Sequence, residues 1–211
     1  MTNAPSDKFV STIDEYYSDK IRTYGATPQG VDWNGEASQR LRYEQIARVL
    51  PASTFSVCDL GCGYGAFYDY LVEERADFRY LGVDVSAEMV REAERLHQKD
   101  NCRFIRADRP DSNVDFVVAS GIFNVRPGIS DAEWRPFVFE GIDRMNAMST
   151  RGFAFNCLTS HSDSERMRDY LFYADPSEML VRCLGLSRRV ALLHDYGLYE
   201  FTVIVHKETK V

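Results

Sequence analysis

Three alternate glycines, Gly61, Gly63 and Gly65, sit inside the run Val57-Cys-Asp-Leu-Gly-Cys-Gly-Tyr-Gly-Ala66. No other feature limits the fold as tightly. Glycines at this density raise the entropy cost of folding, so they belong where the chain must turn sharply or let a ligand approach its backbone. The apolar run Phe55–Asp59 leads into them, and a helical pattern from Gly65 to Glu74 leads out. The spacing predicts a strand, a tight turn and a helix. In an open parallel sheet that turn lies at the carboxyl edge, where nucleotide-type ligands bind.

The same alternation continues along the chain. Arg79–Asp84, Cys102–Arg106, Val114–Ala119, Gly152–Leu158, Arg188–His194 and Phe201–Val205 read as further strands. Helical patterns cover Ala87–Gln98, Asp131–Met148 and Glu165–Cys183. Ser86 before an acidic turn and the capping box Ser130-Asp-Ala-Glu133 mark two helix starts. Strand–helix alternation of this kind implies a mostly parallel sheet with helices on both faces. The last two strands are separated only by Asp195 to Glu200, so they form a hairpin and one of them runs antiparallel. Upstream, Phe9, Ile13, Tyr16, Tyr17, Lys20 and Tyr24 recur at helical spacing over Ser6–Tyr24, with Ser6 as cap. A turn-rich loop carrying Trp33 follows, then a helix over Glu36–Leu50. The expected division is an N-terminal helical lid over residues 1–54 and a core over 55–211.

Composition narrows the function classes. The formal net charge of the 211-residue chain is −7, which argues against broad capture of nucleic acid or anionic membranes. No apolar run approaches the ~18 residues of a membrane span, and Met1–Lys8 is polar. Five cysteines without CxxC spacing suit buried thiols in a reducing cytoplasm, with no metal site.

Two ligand classes compete for the glycine turn. Gly61, Gly63 and Ala66 satisfy G-x-G-x-x-G/A, the dinucleotide fingerprint. Against it, Asp59 precedes the glycines, where it would repel a pyrophosphate and suit an ammonium group. Asp84, closing the second strand, is placed to bind two ribose hydroxyls. Asp108, after the third strand, is placed to accept from an exocyclic amine.

At these residues the chain resembles the class I S-adenosylmethionine-dependent methyltransferases. Asp59-Leu-Gly-Cys-Gly-Tyr-Gly65 is similar to that family's glycine motif, Asp84 to its ribose-binding acid, Ala107-Asp108 to its adenine-contacting pair, and Val114–Gly121 to its fourth strand. The resemblance runs from Phe55 to Lys207. It implies an α/β, Rossmann-like, seven-stranded sheet in the order 3-2-1-4-5-7-6, with strand seven antiparallel, and S-adenosylmethionine as cofactor. Asp59, Gly61, Gly63, Gly65, Asp84, Val85, Asp108 and Ser120 are the expected cofactor ligands. Trp33 is expected to cover the site, and Arg42 to hold the cofactor's carboxylate.

The acceptor is not legible. No Asn-Pro-Pro motif follows the fourth strand, and no acidic residue in the fifth, Phe153-Ala-Phe-Asn-Cys157, points to a catalytic metal. A small-molecule acceptor is expected, attacking through O, N or C, with a homodimer as a candidate assembly. Methyl transfer needs alignment first, and a base only where the nucleophile carries a proton. His194 and His161 are the candidate bases. Asn124, Asn156, Tyr173 and Tyr196 are the candidate substrate contacts. Aminocarboxypropyl transfer or cyclisation with the same cofactor remains an alternative, as does cofactor binding without catalysis.

Overall fold

The computed structural model describes residues 5–75 and 77–207, with side chains from Phe9 onward. The helix α1, Pro5–Tyr24, already includes Ser6, whose proposed capping side chain lies outside the described residues. A 3-10 turn, Pro28–Val31, and the helix α2, Glu36–Ile46, follow. Alternation then begins with β1 (Phe55–Leu60), α3 (Ala66–Glu74), β2 (Phe78–Asp84), α4 (Ala87–Leu96), β3 (Cys102–Arg106) and β4 (Val114–Ala119). It continues with α5 (Asp131–Met148), β5 (Ser149–Thr159), β6 (Tyr173–Ala174), α6 (Pro176–Leu184), β7 (Arg189–Leu193) and β8 (Glu200–His206). Ser86 caps α4 through Met89, and Ser130 and Glu133 form the reciprocal capping box of α5.

The sheet order is β3-β2-β1-β4-β5-β8-β7, with β8 antiparallel to both neighbours. This is the expected order once the two-residue β6, which pairs with the end of β5, is counted. That strand is a correction. A continuous helix was expected over Glu165–Cys183, but only a 3-10 turn at Ser164–Arg166 and α6 are helical. Pro176 has no N–H and bars helical backbone at Asp175, so α6 starts there. The Asp175 carboxylate caps it through the amides of Ser177 and Glu178. The chain ahead of it is drawn onto β5 instead, and the Tyr173 hydroxyl accepts the Arg168 amide at 2.9 Å.

Alternate residues of the strands feed opposite faces of the sheet. On one face Val117, Phe153 and Phe155 pack with Trp134, Ile142 and Met145 of α5 and Met179 of α6, and Phe9 and Ile13 of α1 lean on this cluster. On the other face Phe55, Val57 and Phe116 pack with Phe67 and Leu71 of α3, Val90 and Ala93 of α4, and Tyr43 and Ile46 of α2. Each fully buried large side chain contributes about 1.5–3 kcal/mol. Because α2 is part of this second layer, the segment left to roof the sheet's carboxyl edge is α1 with the turn after it. That segment is tied down by Ile21 against Tyr64 and Met89, and by Ser18 Oγ at 2.8 Å from Ser86 Oγ.

Candidate active site

The glycine turn is built by its own hydrogen bonds. The amides of Gly61 and Cys62 both donate to the Val83 carbonyl, at 2.7 and 3.1 Å, clipping the turn to the end of β2. Gly61 and Gly63 have φ of +73° and +56°, where a side chain is strained. A Cβ on Gly61 would also lie 2.3 Å from Ile122, and one on Gly63 2.9 Å from Val31. Gly65, at a φ of +90°, shares that constraint and adds another. It precedes α3, and a Cβ there would strike the His97 ring at 2.7 Å, so it is required by packing beneath the turn.

Two buried carboxylates flank this turn in a single cleft. Asp84 accepts the amides of Gly63 and Ser86, both at 2.9 Å. Burial nevertheless pushes its carboxyl up to about 6. Asp59 accepts the Tyr80 hydroxyl at 2.7 Å. Burial, aided by the charge of Asp84 and opposed by Tyr80, raises it to about 7. Val85, Asp108 and Ser120 line the same cleft. Asp108 is at its edge, its side chain 44 % exposed and paired with Arg144 at 3.5 Å.

The roof comes from the N-terminal segment. Val10, Ile13 and Tyr17 of α1, with Val31 and Trp33, line the cleft from above. Asp32 holds the turn, at φ +62°, with its carboxylate accepting from Tyr16 Oη at 2.8 Å and Lys20 Nζ at 2.6 Å. Trp33 then lies against Gly121, where a Cβ would come within 2.6 Å of the indole.

Arg42 is not in the cleft lining, and its expected role in holding the cofactor's carboxylate is corrected. Its guanidinium lies 3.9 Å from the Trp33 ring centre. Its Nε donates to Glu200 at 2.8 and 2.9 Å, and its Nη2 donates to the same carboxylate. Both side chains are buried. Glu200 also accepts from Asn156 Nδ2 at 3.2 Å, and Asn156 Oδ1 accepts the Gly121 amide at 2.7 Å. Arg42 therefore seats Trp33 from behind, its charge already satisfied.

The remaining predicted residues lie outside the lining. Asn156 belongs to that network, fully buried. Asn124 ties the β4 loop to β5, accepting the Leu158 amide at 3.1 Å, while its buried Nδ2 has no hydrogen-bond partner among the described residues. Tyr173 braces the turn before α6, and Tyr196 Oη is 3.1 Å from Thr202 Oγ1. His161 and His194 are exposed, their rings 6.2 Å apart. His97 is buried under the glycine turn, 3.1 Å from the Tyr64 carbonyl. The sequence reading missed Tyr80, Glu200, Gln39, Tyr43 and Tyr17. For Glu200 the available signal was a lone acid opening an otherwise apolar strand.

These residues fit S-adenosylmethionine. Buried carboxylates beside a turn that presents backbone in place of side chains would suit a zwitterionic, ribose-bearing ligand. Comparison with known proteins agrees. A methyltransferase-domain family model matches residues 58–137. Trans-aconitate 2-methyltransferase of Rhodopseudomonas palustris (strain HaA2) is 34 % identical over 110 residues, 46 % of this chain and 41 % of that enzyme. Magnesium protoporphyrin IX methyltransferase (ChlM) of Synechocystis PCC 6803, with S-adenosylhomocysteine bound, shares the fold at a TM-score of 0.69. The alignment covers 94 % of this chain and 99 % of that one at 14 % identity. Rv1506c of Mycobacterium tuberculosis (strain ATCC 25618 / H37Rv), itself named only as a candidate methyltransferase, is 53 % identical over 161 residues, 75 % of this chain and 97 % of that protein. With its glycine turn, its two buried carboxylates and a relative this similar, the chain belongs to the class I S-adenosylmethionine-dependent methyltransferases.

Proposed function

We propose that the enzyme methylates a small molecule, through O, N or C, inside the roofed cleft, and that α1 with the turn through Gly35 is its lid. The observation carrying this reading is the shared lining. Val10, Ile13, Tyr17 and Trp33 close over the same space that Asp59 and Asp84 wall. A compact acceptor suits such a space, whereas a nucleic-acid strand calls for an open, basic groove. The named acceptors of two similar proteins, trans-aconitate and magnesium protoporphyrin IX, are small molecules as well. The five cysteines are all free, which suits a reducing compartment, and the proposal places the enzyme in the cytoplasm.

When bound, S-adenosylmethionine supplies a methyl group already activated on a sulfonium. The chain's own work is then orientation and dryness. Asp84 is the ribose ligand of this reading, and Asp59 the partner of the ammonium group. Trp33, Tyr17 and Tyr43 exclude water. Asp108, at the cleft edge beside Arg144, is the acceptor for the adenine amine in this reading. His161 and His194 have no part in the proposal, because neither lines the cleft.

The test is the destination of label. Methyl-labelled S-adenosylmethionine is incubated with enzyme and a cell extract split into small-molecule and macromolecular fractions. Label appearing in the small-molecule fraction supports the reading. Label confined to protein or RNA overturns it.

A further inference from the structure

A second cavity, of about 360 Å³, opens at the opposite edge of the sheet, at the amino ends of the parallel strands. Ligand pockets commonly begin at about 300 Å³. Five basic residues converge on it: Arg48 after α2, Arg151 of β5, Arg189 of β7, and His206 and Lys207 at the end of β8. Among the described residues no carboxylate lines it. In a chain with 32 acidic and 25 Lys or Arg residues, that segregation is unexpected.

The partners of these groups sharpen the point. Elsewhere, arginines such as Arg22, Arg40, Arg95 and Arg103 meet carboxylates. Among the described residues no ion pair reaches Arg48, Arg151, Arg189 or Lys207. Arg48 donates to Gln45 Oε1 at 3.1 Å, Arg151 lies over the Phe116 ring at 4.9 Å, and Lys207 Nζ donates to the carbonyls of Asn146 and Ser149. The acid on the adjacent strand, Asp115, is turned onto Ser56, accepting its amide at 2.8 Å and its hydroxyl at 3.1 Å, with Thr150 at 3.5 Å. Burial first, and then the charge of Arg189, lower the pKa of His206. Val49, Leu50 and Phe116 give the cavity an apolar floor.

We propose that this cavity binds a small organic phosphate, the cationic rim holding the phosphoryl oxygens and the floor taking the apolar body. Converging guanidinium groups match phosphate geometry, and clustered like charges of this kind are relieved by a bound anion. The site is separate from the cofactor cleft, which lies at the carboxyl ends of the same strands. One element reaches both regions. Gln39 and Tyr43 of α2 line the cleft, and Arg48 and Val49 just beyond it line the cavity.

The test is calorimetry on the full chain with phenyl phosphate, inorganic phosphate and phenol, at fixed ionic strength. Phenyl phosphate binds tightest, inorganic phosphate about tenfold more weakly, and phenol not measurably. Arg151→Gln with Arg189→Gln weakens phenyl phosphate at least tenfold, by about 1.4 kcal/mol or more, and leaves S-adenosylhomocysteine affinity unchanged. Should that pair fail to fold, the single variants Arg48→Gln and Arg189→Gln, both at exposed positions, each weaken it about threefold. Phenyl phosphate binding that survives these changes overturns the proposal. So does binding abolished by saturating S-adenosylhomocysteine, which would place the phosphate in the cofactor cleft.

Discussion

Replacing Glu200 by alanine tests how the roof is held. The Glu200 side chain is 1 % exposed and that of Arg42 is 7 %. Arg42 reaches Glu200 through Nε and Nη2, and its Nη1 donates to the Ser38 carbonyl at 2.9 Å. Removing the carboxylate leaves a buried guanidinium with one carbonyl partner, and breaking such a pair costs about 3–5 kcal/mol. That is a large share of the ~5–15 kcal/mol that holds a domain together. Glu200→Gln keeps the shape and an acceptor for Asn156, so its cost is nearer ~1.5–3 kcal/mol. The double change Arg42→Met with Glu200→Leu removes both charges and should cost less than Glu200→Ala alone. Urea unfolding gives the numbers, with an unchanged m-value confirming that only stability moved. A loss under ~1 kcal/mol for Glu200→Ala, or a double variant as unstable as the sum of its singles, would refute the reasoning. In either case the pair would not be the roof's anchor.

Other consequences are open to measurement. Asp84→Ala removes the proposed ribose ligand and should cut S-adenosylhomocysteine affinity at least about tenfold with the fold intact; unchanged affinity would remove Asp84 from that role. Burial raises the carboxyls of Asp59 and Asp84 to about 7 and about 6 in the folded protein, above the ordinary 3.8. The free protein therefore holds the stability they contribute below about pH 4 and loses it as pH rises through about 6–7. The double change to asparagine should flatten that decline in melting temperature, and an equal slope in the variant would contradict the assignment. Gly121→Ala puts a methyl group against Trp33 at a φ of +82° and should destabilise by about 1 kcal/mol or more while shifting the indole emission. Hydrogen exchange between Tyr16 and Arg42 should slow when S-adenosylhomocysteine binds, and no change there would count against a lid.

Local chemistry made most of the fold legible. The glycine run fixed the first strand–turn–helix, and Ser86 and Ser130 marked helix starts that the structure keeps. The short gap between Asp195 and Glu200 required the hairpin that makes β8 antiparallel. Where the sequence misled, a distant partner decided. Residues 167–172 carry a helix-like pattern, yet β5 and the break at Asp175-Pro176 claim the chain. At the site, the glycines and acids that line the cleft were readable because the strand–turn–helix pattern placed them together. Arg42 was not, because its partner lies 158 positions away. Asn156 looked like a substrate contact for its place at the strand end, but its amide is consumed by Gly121, Ser120 and Glu200. Long-range pairing of polar side chains leaves no periodic trace in a single sequence.

The central claim is methyl transfer from a cofactor held between the glycine turn and the roof. Mass-spectrometric accounting of the spent cofactor tests it most directly. The enzyme is given S-adenosylmethionine and the small-molecule fraction of an extract. S-adenosylhomocysteine should accumulate in step with a product heavier than its precursor by one methylene, and both should disappear in Asp84→Ala. Methylthioadenosine as the spent form would contradict the account, because the cofactor would then have given up its aminocarboxypropyl group and kept its methyl.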